Sequence, residues 1–140
     1  MKARIFLITF AIANLGLILY GFMVLIKPDI LLEPFSTHVY QFPEEATNAT
    51  IYLSALYRLL GYFNIFPGVF GLLCLKRFWT TKDNWYLRSV IAITVFAYVG
   101  PVLFDNTVGT IGFFEILEHI IFALTIIVGF VMLKEPDKGA

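Results

Sequence analysis

The chain has 140 residues, of which 59% are hydrophobic and 14% are charged, and its mean hydropathy is +0.83. These values exclude an ordinary soluble domain and indicate a membrane protein. The formal net charge is zero, so the sequence predicts no nucleic-acid partner. Cys74 is the single cysteine, which excludes an intrachain disulfide and a CxxC redox or zinc site.

Four apolar stretches follow one another along the chain, at about residues 5–26, 51–75, 85–104 and 112–133. Each is close to the ~20 residues that a helix needs to cross the hydrocarbon core of a bilayer. The stretches are continuously apolar rather than alternating, which excludes the strands of a closed β-barrel. The sequence therefore predicts an all-α bundle of four transmembrane helices, which forms one integral membrane domain over residues 1–140.

The first stretch contains Ala11-Ile12-Ala13, a tripeptide that resembles a signal-peptide cleavage site. The apolar run continues for about a dozen residues past it, which favours a membrane anchor. Basic residues set the expected orientation, because Lys27 lies on one side of the predicted bundle and eight others lie on the opposite side: Lys2, Arg4, Lys76, Arg77, Lys82, Arg88, Lys134 and Lys138. The positive-inside rule then predicts that both termini are cytoplasmic.

The long connection over residues 27–49 is predicted to form a cap on the outer surface. Asp29 is a candidate N-cap for one apolar turn, and the prolines of this segment oppose further helix. Asn48-Ala49-Thr50 matches a glycosylation acceptor. Because the tripeptide adjoins the second helix, we expect Asn48 or Thr50 to serve instead as the N-cap of that helix.

Arg58 interrupts the second apolar stretch. It lies about eight residues from the outer end of that stretch, which at ~1.5 Å per residue is a depth of about 12 Å. A charge near mid-span costs about 2.5–3.5 kcal/mol on insertion scales. We therefore expect Arg58 to face the bundle interior and to contact an anionic side chain.

The fourth helix supplies acidic candidates for this contact. Glu115, Glu118 and His119 have the spacing i, i+3, i+4, which places them on one helical face. Asp105 lies at the outer end of the third helix. These residues predict a buried polar cluster around Arg58 in the outer half of the bundle. Its role is open between a buried ion pair that fixes helix register and a ligand-binding or acid–base pocket.

A stripe of small residues runs along the second helix beside Arg58: Ser54, Gly61, Gly68 and Gly71 or Leu72. Tyr57 and Asn64 adjoin this stripe, which lets another backbone approach closely. On the first helix, Asn14 and Gly21 are a candidate facing pair, seven residues apart. Tyr57, Asn64 and Asn14 therefore join the predicted polar cluster.

No cofactor is predicted, although a lipid or a quinone would fit such a cluster. Glu115-x-x-Glu118-His119 resembles half of a carboxylate di-metal site, but such bundles supply matching Glu-x-x-His motifs from other helices, and this sequence has none. No metal site is therefore predicted. Haem is disfavoured because His38, the other histidine, lies in the outer connection.

The chain resembles the DoxX-like family of small four-helix membrane proteins. Three features carry the resemblance: Pro28 to Leu32 after the first helix, the glycine-bearing run "YRLLGYFNIFPGVFGLL", and Glu115 in the outer turn of the fourth helix. It implies a four-helix bundle that acts as a partner subunit or binds a small ligand. Membrane sterol isomerases offer a second resemblance, in the carboxylates and histidine of Glu115, Glu118 and His119.

Two functional hypotheses follow. The first is an accessory or assembly subunit of a larger membrane complex, whose partners are membrane lipids and other membrane protein subunits. The alternative is a binder, carrier or isomerase-like modifying enzyme for a lipid or other small amphipathic ligand. The expected location is the bacterial inner membrane, with an organellar membrane as the alternative.

Overall fold

The computed structural model describes residues 2–28, 47–108 and 113–134; the side chains of residues 47–50, 104, 105, 107, 108, 114 and 115 lie outside this description. Helix α1 spans Lys2–Ile26, α2 spans Thr47–Thr81, α3 spans Asn84–Val108 and α4 spans Phe113–Leu133. Each is long and apolar enough to cross a membrane. The predicted all-α membrane architecture is confirmed, while the orientation of the termini stays a prediction.

Two of the predictions fall on parts of the chain outside the described residues. Residues 29–46 of the predicted outer cap are among them, and so are the side chains of Asn48 and Thr50, the two candidate N-caps of α2. The outer cap and the N-cap of α2 therefore remain predictions.

Helix α2 is longer than predicted and ends in a tight turn. Its 35 residues extend over about 52 Å at ~1.5 Å per residue. Lys82 ends the helix in a left-handed conformation, with φ 57°, and its amide donates to the Phe78 carbonyl at 2.9 Å. Asp83 then caps α3, because its carboxylate accepts a hydrogen bond from the Trp85 amide at 2.8 Å. Two residues are therefore enough to reverse the chain.

The chain divides into two compact units, Met1–Gly16 with Pro67–Ala140, and Leu17–Phe66. The first, which we call the four-helix unit, contains parts of all four helices. Its hydrophobic core consists of buried side chains from each of them: Phe6, Phe10, Cys74, Leu75, Phe78, Leu87, Val90 and Met132. The Phe6 ring packs edge-on against the Phe78 ring, with centroids 5.7 Å apart. This contact fixes the register of α1 against α2.

The second unit, which we call the two-helix unit, contains the end of α1 and the beginning of α2. Gly21 and Gly61 lie at the point where the two helices meet. A methyl group added at Gly21 would lie 2.5 Å from the Gly61 carbonyl oxygen, and one at Gly61 would lie 2.6 Å from the Gly21 carbonyl oxygen. Only residues without a Cβ fit so close an approach of two backbones. The predicted packing role of these small residues is confirmed.

Candidate functional site

A buried polar node lies in the four-helix unit, and we define it as Asn14, Gly71, Thr94 and Tyr98. Asn14 is fully buried near the middle of α1. Its amide nitrogen donates to the Phe10 carbonyl at 2.7 Å and to the Thr94 hydroxyl oxygen at 2.9 Å. Burying an amide in hydrocarbon costs several kcal/mol unless it is hydrogen-bonded, on the order of 4–8 kcal/mol against an alkane. These two bonds offset that cost and join α1 to α3.

The oxygen of the Asn14 amide lies against Gly71, which has no side chain. A methyl group at Gly71 would overlap the Asn14 Oδ1 atom and would lie 2.6 Å from its Cγ atom. Oδ1 has no conventional hydrogen-bond donor among the described residues. It therefore rests against the Gly71 Cα atom, where a weak Cα–H···O interaction of about 0.5–1 kcal/mol is available. The node thus links α1 to both α2 and α3.

Tyr98 is the fourth member of the polar node. Its hydroxyl donates to the Ala13 carbonyl at 2.9 Å, and its ring stacks on Phe122 of α4 with centroids 6.5 Å apart. The Glu118 carboxylate lies within electrostatic range of this phenol. Tyr98 therefore connects α1, α3 and α4.

A second polar contact joins the C-terminal end of α3 to the N-terminal part of α4. The Asn106 amide nitrogen donates to the Val102 carbonyl at 2.7 Å and lies 3.2 Å from His119 Nε2. An amide nitrogen is a donor, so the imidazole accepts through Nε2 when that nitrogen is unprotonated. His119 and Glu118 are both partly buried. The side chains of Asp105 and Glu115, which were predicted to join Glu118 and His119 in a cluster around Arg58, lie outside the described part of the structure.

The two-helix unit holds the remaining predicted residues. Tyr57 and Asn64 are buried, 9% and 4% exposed, on the same face of α2 as Gly61. Among the described residues, the Asn64 amide nitrogen has no hydrogen-bond partner. Buried polar groups in membranes are normally paired. A ligand or a water molecule that accepts a hydrogen bond from the Asn64 amide would therefore satisfy this buried donor.

Arg58 departs from its predicted position. It was expected to face the bundle interior, but its side chain is exposed. The length of α2 explains the difference. We take Lys76 and Arg77 as one membrane boundary on this helix. A hydrocarbon core of ~30 Å takes about 20 residues, so the other boundary is expected near residue 56. Arg58 is then within one turn of the interface, where its long side chain reaches the headgroups.

Tyr52 on α2 agrees with this depth. It is 73% exposed and lies on the outer side of the expected boundary, and tyrosine is enriched at membrane interfaces. The predicted pairing of Arg58 with α4 joins residues of the two units and stays a prediction.

Several residues of these contacts are absent from the prediction. Gly71 was noted for its size, but Thr94, Tyr98 and Asn106 were not identified. Thr94 and Tyr98 have the spacing i, i+4, so they lie on one face of α3, and this was the signal that could have paired them with Asn14. Among the residues that the structure describes, no three His, Cys, Asp or Glu side chains lie close enough together to hold a metal ion.

The association of all eight residues in one cluster stays a prediction, and the structure gives contacts for three of them. Asn14 belongs to the polar node, Glu118 lies near Tyr98, and His119 contacts Asn106. Comparisons of the chain with protein-family models, with curated protein sequences and with solved structures gave no match.

Proposed function

We propose that this protein is a non-enzymatic accessory or assembly subunit, which docks onto a larger membrane complex through the exposed face of α4. The observation that carries the proposal is the exposure of this helix. In the apolar window of Ile116–Leu133, 17% of the residues are buried, against 28–33% in the other three spans. α4 therefore presents more unoccupied transmembrane surface than α1, α2 or α3.

Five of the exposed residues of α4 form a regular pattern, which we call the α4 seam. Its members are spaced 4, 3, 4 and 3 residues apart, and all are exposed: Ile116, Ile120, Ala123, Ile127 and Phe130. This spacing is that of a helix–helix contact surface. Isoleucine side chains have few rotamers to lose on packing, and the small Ala123 at the centre permits close approach. The seam suits an apolar transmembrane helix of a partner subunit.

The buried polar side chains of the four-helix unit have hydrogen-bond partners, which favours a structural role over a catalytic one. These side chains bond to one another or to backbone carbonyls: Asn14 to Phe10 and Thr94, Tyr98 to Ala13, and Thr125 to Phe122. The Asn14–Thr94 and Tyr98–Ala13 bonds join α1 to α3 and hold these two helices in register. The DoxX-like resemblance, which implies a partner subunit or a small-ligand binder, agrees with the proposal. We place the protein in a bacterial inner membrane, with an organellar membrane as the alternative, and with both termini in the cytoplasm.

Ala123→Trp is the test of the docking surface. The protein is extracted in a mild detergent, and the mass of the native particle is measured. We expect the unaltered chain to carry a partner subunit of reproducible mass and stoichiometry. Ala123→Trp should remove that mass, because the indole fills the centre of the α4 seam. The free energy of unfolding of the chain itself should change by less than about 0.5 kcal/mol, as for other surface substitutions.

Ile12→Trp is the matched control, because Ile12 is 55% exposed on α1 and lies outside the seam. It should retain the partner mass. A lone monomer from the unaltered chain, or equal loss of the partner in both variants, would contradict the proposal.

A second candidate function is the binding of a small amphipathic molecule, and Asn64 favours it. An amide nitrogen that is buried without a partner carries a desolvation cost of about 1–3 kcal/mol. A quinone or acyl carbonyl oxygen would accept its hydrogen bond and offset this cost. Tyr57 is a second buried polar side chain, and it lies two turns from Asn64 on the same face of α2.

Asn64→Leu separates this candidate from a purely structural role. Leucine has a similar size and no polar atoms, so the ligand-free variant should unfold with a free energy higher by about 1 kcal/mol. Decylubiquinone should raise the melting temperature of the unaltered protein but not that of Asn64→Leu. Ser54→Ala, on the same helix, is the control and should keep the response. If Asn64→Leu is less stable than the unaltered chain, the amide already has a partner and the candidate fails.

A further inference from the structure

An apolar groove lies between the beginning of α1 and the end of α4, within the four-helix unit. Its volume is about 200 Å³, and its lining residues are Lys2, Ile5, Ile127, Val128, Val131 and Met132. Apart from the ammonium group of Lys2, the lining is made of aliphatic and thioether side chains. Such a surface accommodates a hydrocarbon chain and gives nothing for a polar molecule to bind along its length.

Cations are concentrated where the groove ends. Lys2 is itself a lining residue, and Lys134 follows the last residue of α4. The Lys134 amide continues the helical pattern, since it donates to the Phe130 carbonyl at 3.1 Å. The spacing of Ile127, Val131 and Lys134 is i, i+4, i+7, so Lys134 lies on the face of α4 that lines the groove.

The whole of this end of the four-helix unit is basic, and we call it the basic end. It carries seven exposed cations among the described residues: Lys2, Arg4, Lys76, Arg77, Lys82, Arg88 and Lys134. Asp83 is the acidic residue described at the same end, and its carboxylate caps α3. The groove therefore combines an apolar channel with a strongly positive mouth.

We propose that this groove binds one anionic phospholipid from the adjacent leaflet. One acyl chain lies along Ile5, Ile127 and Val131, and the phosphate oxygens accept hydrogen bonds from the ammonium groups of Lys2 and Lys134. The positive charges of Lys2 and Lys134 select an anionic lipid over a zwitterionic one. The apolar lining selects a lipid over free phosphate, which has no chain to bury. The groove shares Ile127 with the α4 seam, whereas Lys2, Ile5, Val128, Val131 and Met132 lie outside the seam, and none of its lining residues is near Asn64 in the sequence.

The test uses the full-length protein in detergent, with lipid binding followed by native mass spectrometry. The probes are phosphatidylglycerol and phosphatidylcholine with identical acyl chains. We expect phosphatidylglycerol to bind in a one-to-one complex and more tightly than phosphatidylcholine. A membrane-surface lysine contributes about 1 kcal/mol to anionic-lipid binding, so Lys2→Gln and Lys134→Gln should each weaken the complex about fivefold and the pair about 25-fold.

Two further variants distinguish a built site from general attraction to a basic surface. Lys82→Gln removes a charge from the basic end, but Lys82 Nζ lies 4.0 Å from the centroid of the Trp79 ring on α2, and Lys82 does not line the groove. It should retain phosphatidylglycerol. Val131→Trp fills the groove and leaves every cation in place, so it should weaken binding of both lipids.

Three results would overturn the proposal. One is equal weakening by Lys2→Gln and Lys82→Gln, which would indicate a diffuse electrostatic effect. Another is unchanged lipid binding in Val131→Trp. The third is displacement of the lipid by millimolar inorganic phosphate, which would show that the groove contributes nothing.

Discussion

Gly71→Ala is expected to destabilise the protein by about 1–3 kcal/mol, the usual cost of adding a methyl group to a well-packed interior. The new methyl would overlap the Asn14 Oδ1 atom. Asn14 cannot rotate away without losing its bonds to the Phe10 carbonyl and the Thr94 hydroxyl. The effect is measured as the free energy of unfolding in mixed micelles, by titration with a denaturing detergent. Gly100→Ala is the control, because no described heavy atom lies within 4 Å of the added methyl.

The partner substitution, Asn14→Ala, tests the reason for this cost. By itself it removes the interhelical bond to Thr94 and the bond to the Phe10 carbonyl within α1, and it should destabilise the protein by about 1–2 kcal/mol, since an interhelical hydrogen bond in a membrane contributes about 0.6–1.7 kcal/mol. In that background the obstacle to Gly71→Ala is gone. The double variant should therefore be no less stable than Asn14→Ala alone, with a coupling energy of at least 1 kcal/mol. Additive losses would show that Gly71 is small for some other reason.

The number and position of the helices could be predicted from the sequence because a transmembrane span leaves a strong local signal. About 20 consecutive apolar residues are needed, and each of the four stretches meets that length. The facing positions of Asn14 and Gly21 on α1 were also predictable. They are seven residues apart on α1, and each faces a small residue of α2: the structure places Gly71 against Asn14 and Gly61 against Gly21.

The partners of Asn14 on α3 could not be predicted in the same way. Thr94 and Tyr98 are ordinary residues in a transmembrane helix, and their importance depends on the register of α3 against α1. Register is set by packing between distant segments, such as the Phe6–Phe78 contact, for which a single sequence has no local signal.

The exposure of the Arg58 side chain was not predicted, for a different reason. Its depth was counted from Ile51, the first apolar residue of the stretch, whereas the membrane boundary on α2 is better counted from the basic residues Lys76 and Arg77. An apolar stretch can extend past the hydrocarbon core into the interface. A cation near the end of a long helix is therefore weaker evidence for a buried ion pair than one in a helix of minimal length.

Gly61→Ala is expected to have the larger effect of the two glycine substitutions in the helix contacts. A methyl at this position would lie 2.6 Å from the Gly21 carbonyl oxygen and 3.0 Å from the Leu25 amide nitrogen. Both obstacles are backbone atoms of α1, so no side chain can move aside and the two helices must separate. We expect a loss toward the upper end of the ~1–3 kcal/mol range for overpacking.

The obstacle to an added methyl group differs between Gly61 and Gly71. At Gly71 the obstacle is a side chain, and shortening Asn14 removes it. At Gly61 the obstacle is the main chain, so no substitution in α1 can restore the contact, and Gly21→Ala should add to the loss rather than relieve it. Hydrogen exchange measures where the change occurs: amides of residues 17–26 in Gly61→Ala should exchange faster than in Gly100→Ala. If Gly61→Ala and Gly100→Ala agree within about 0.5 kcal/mol, the close backbone contact does not stabilise the two-helix unit.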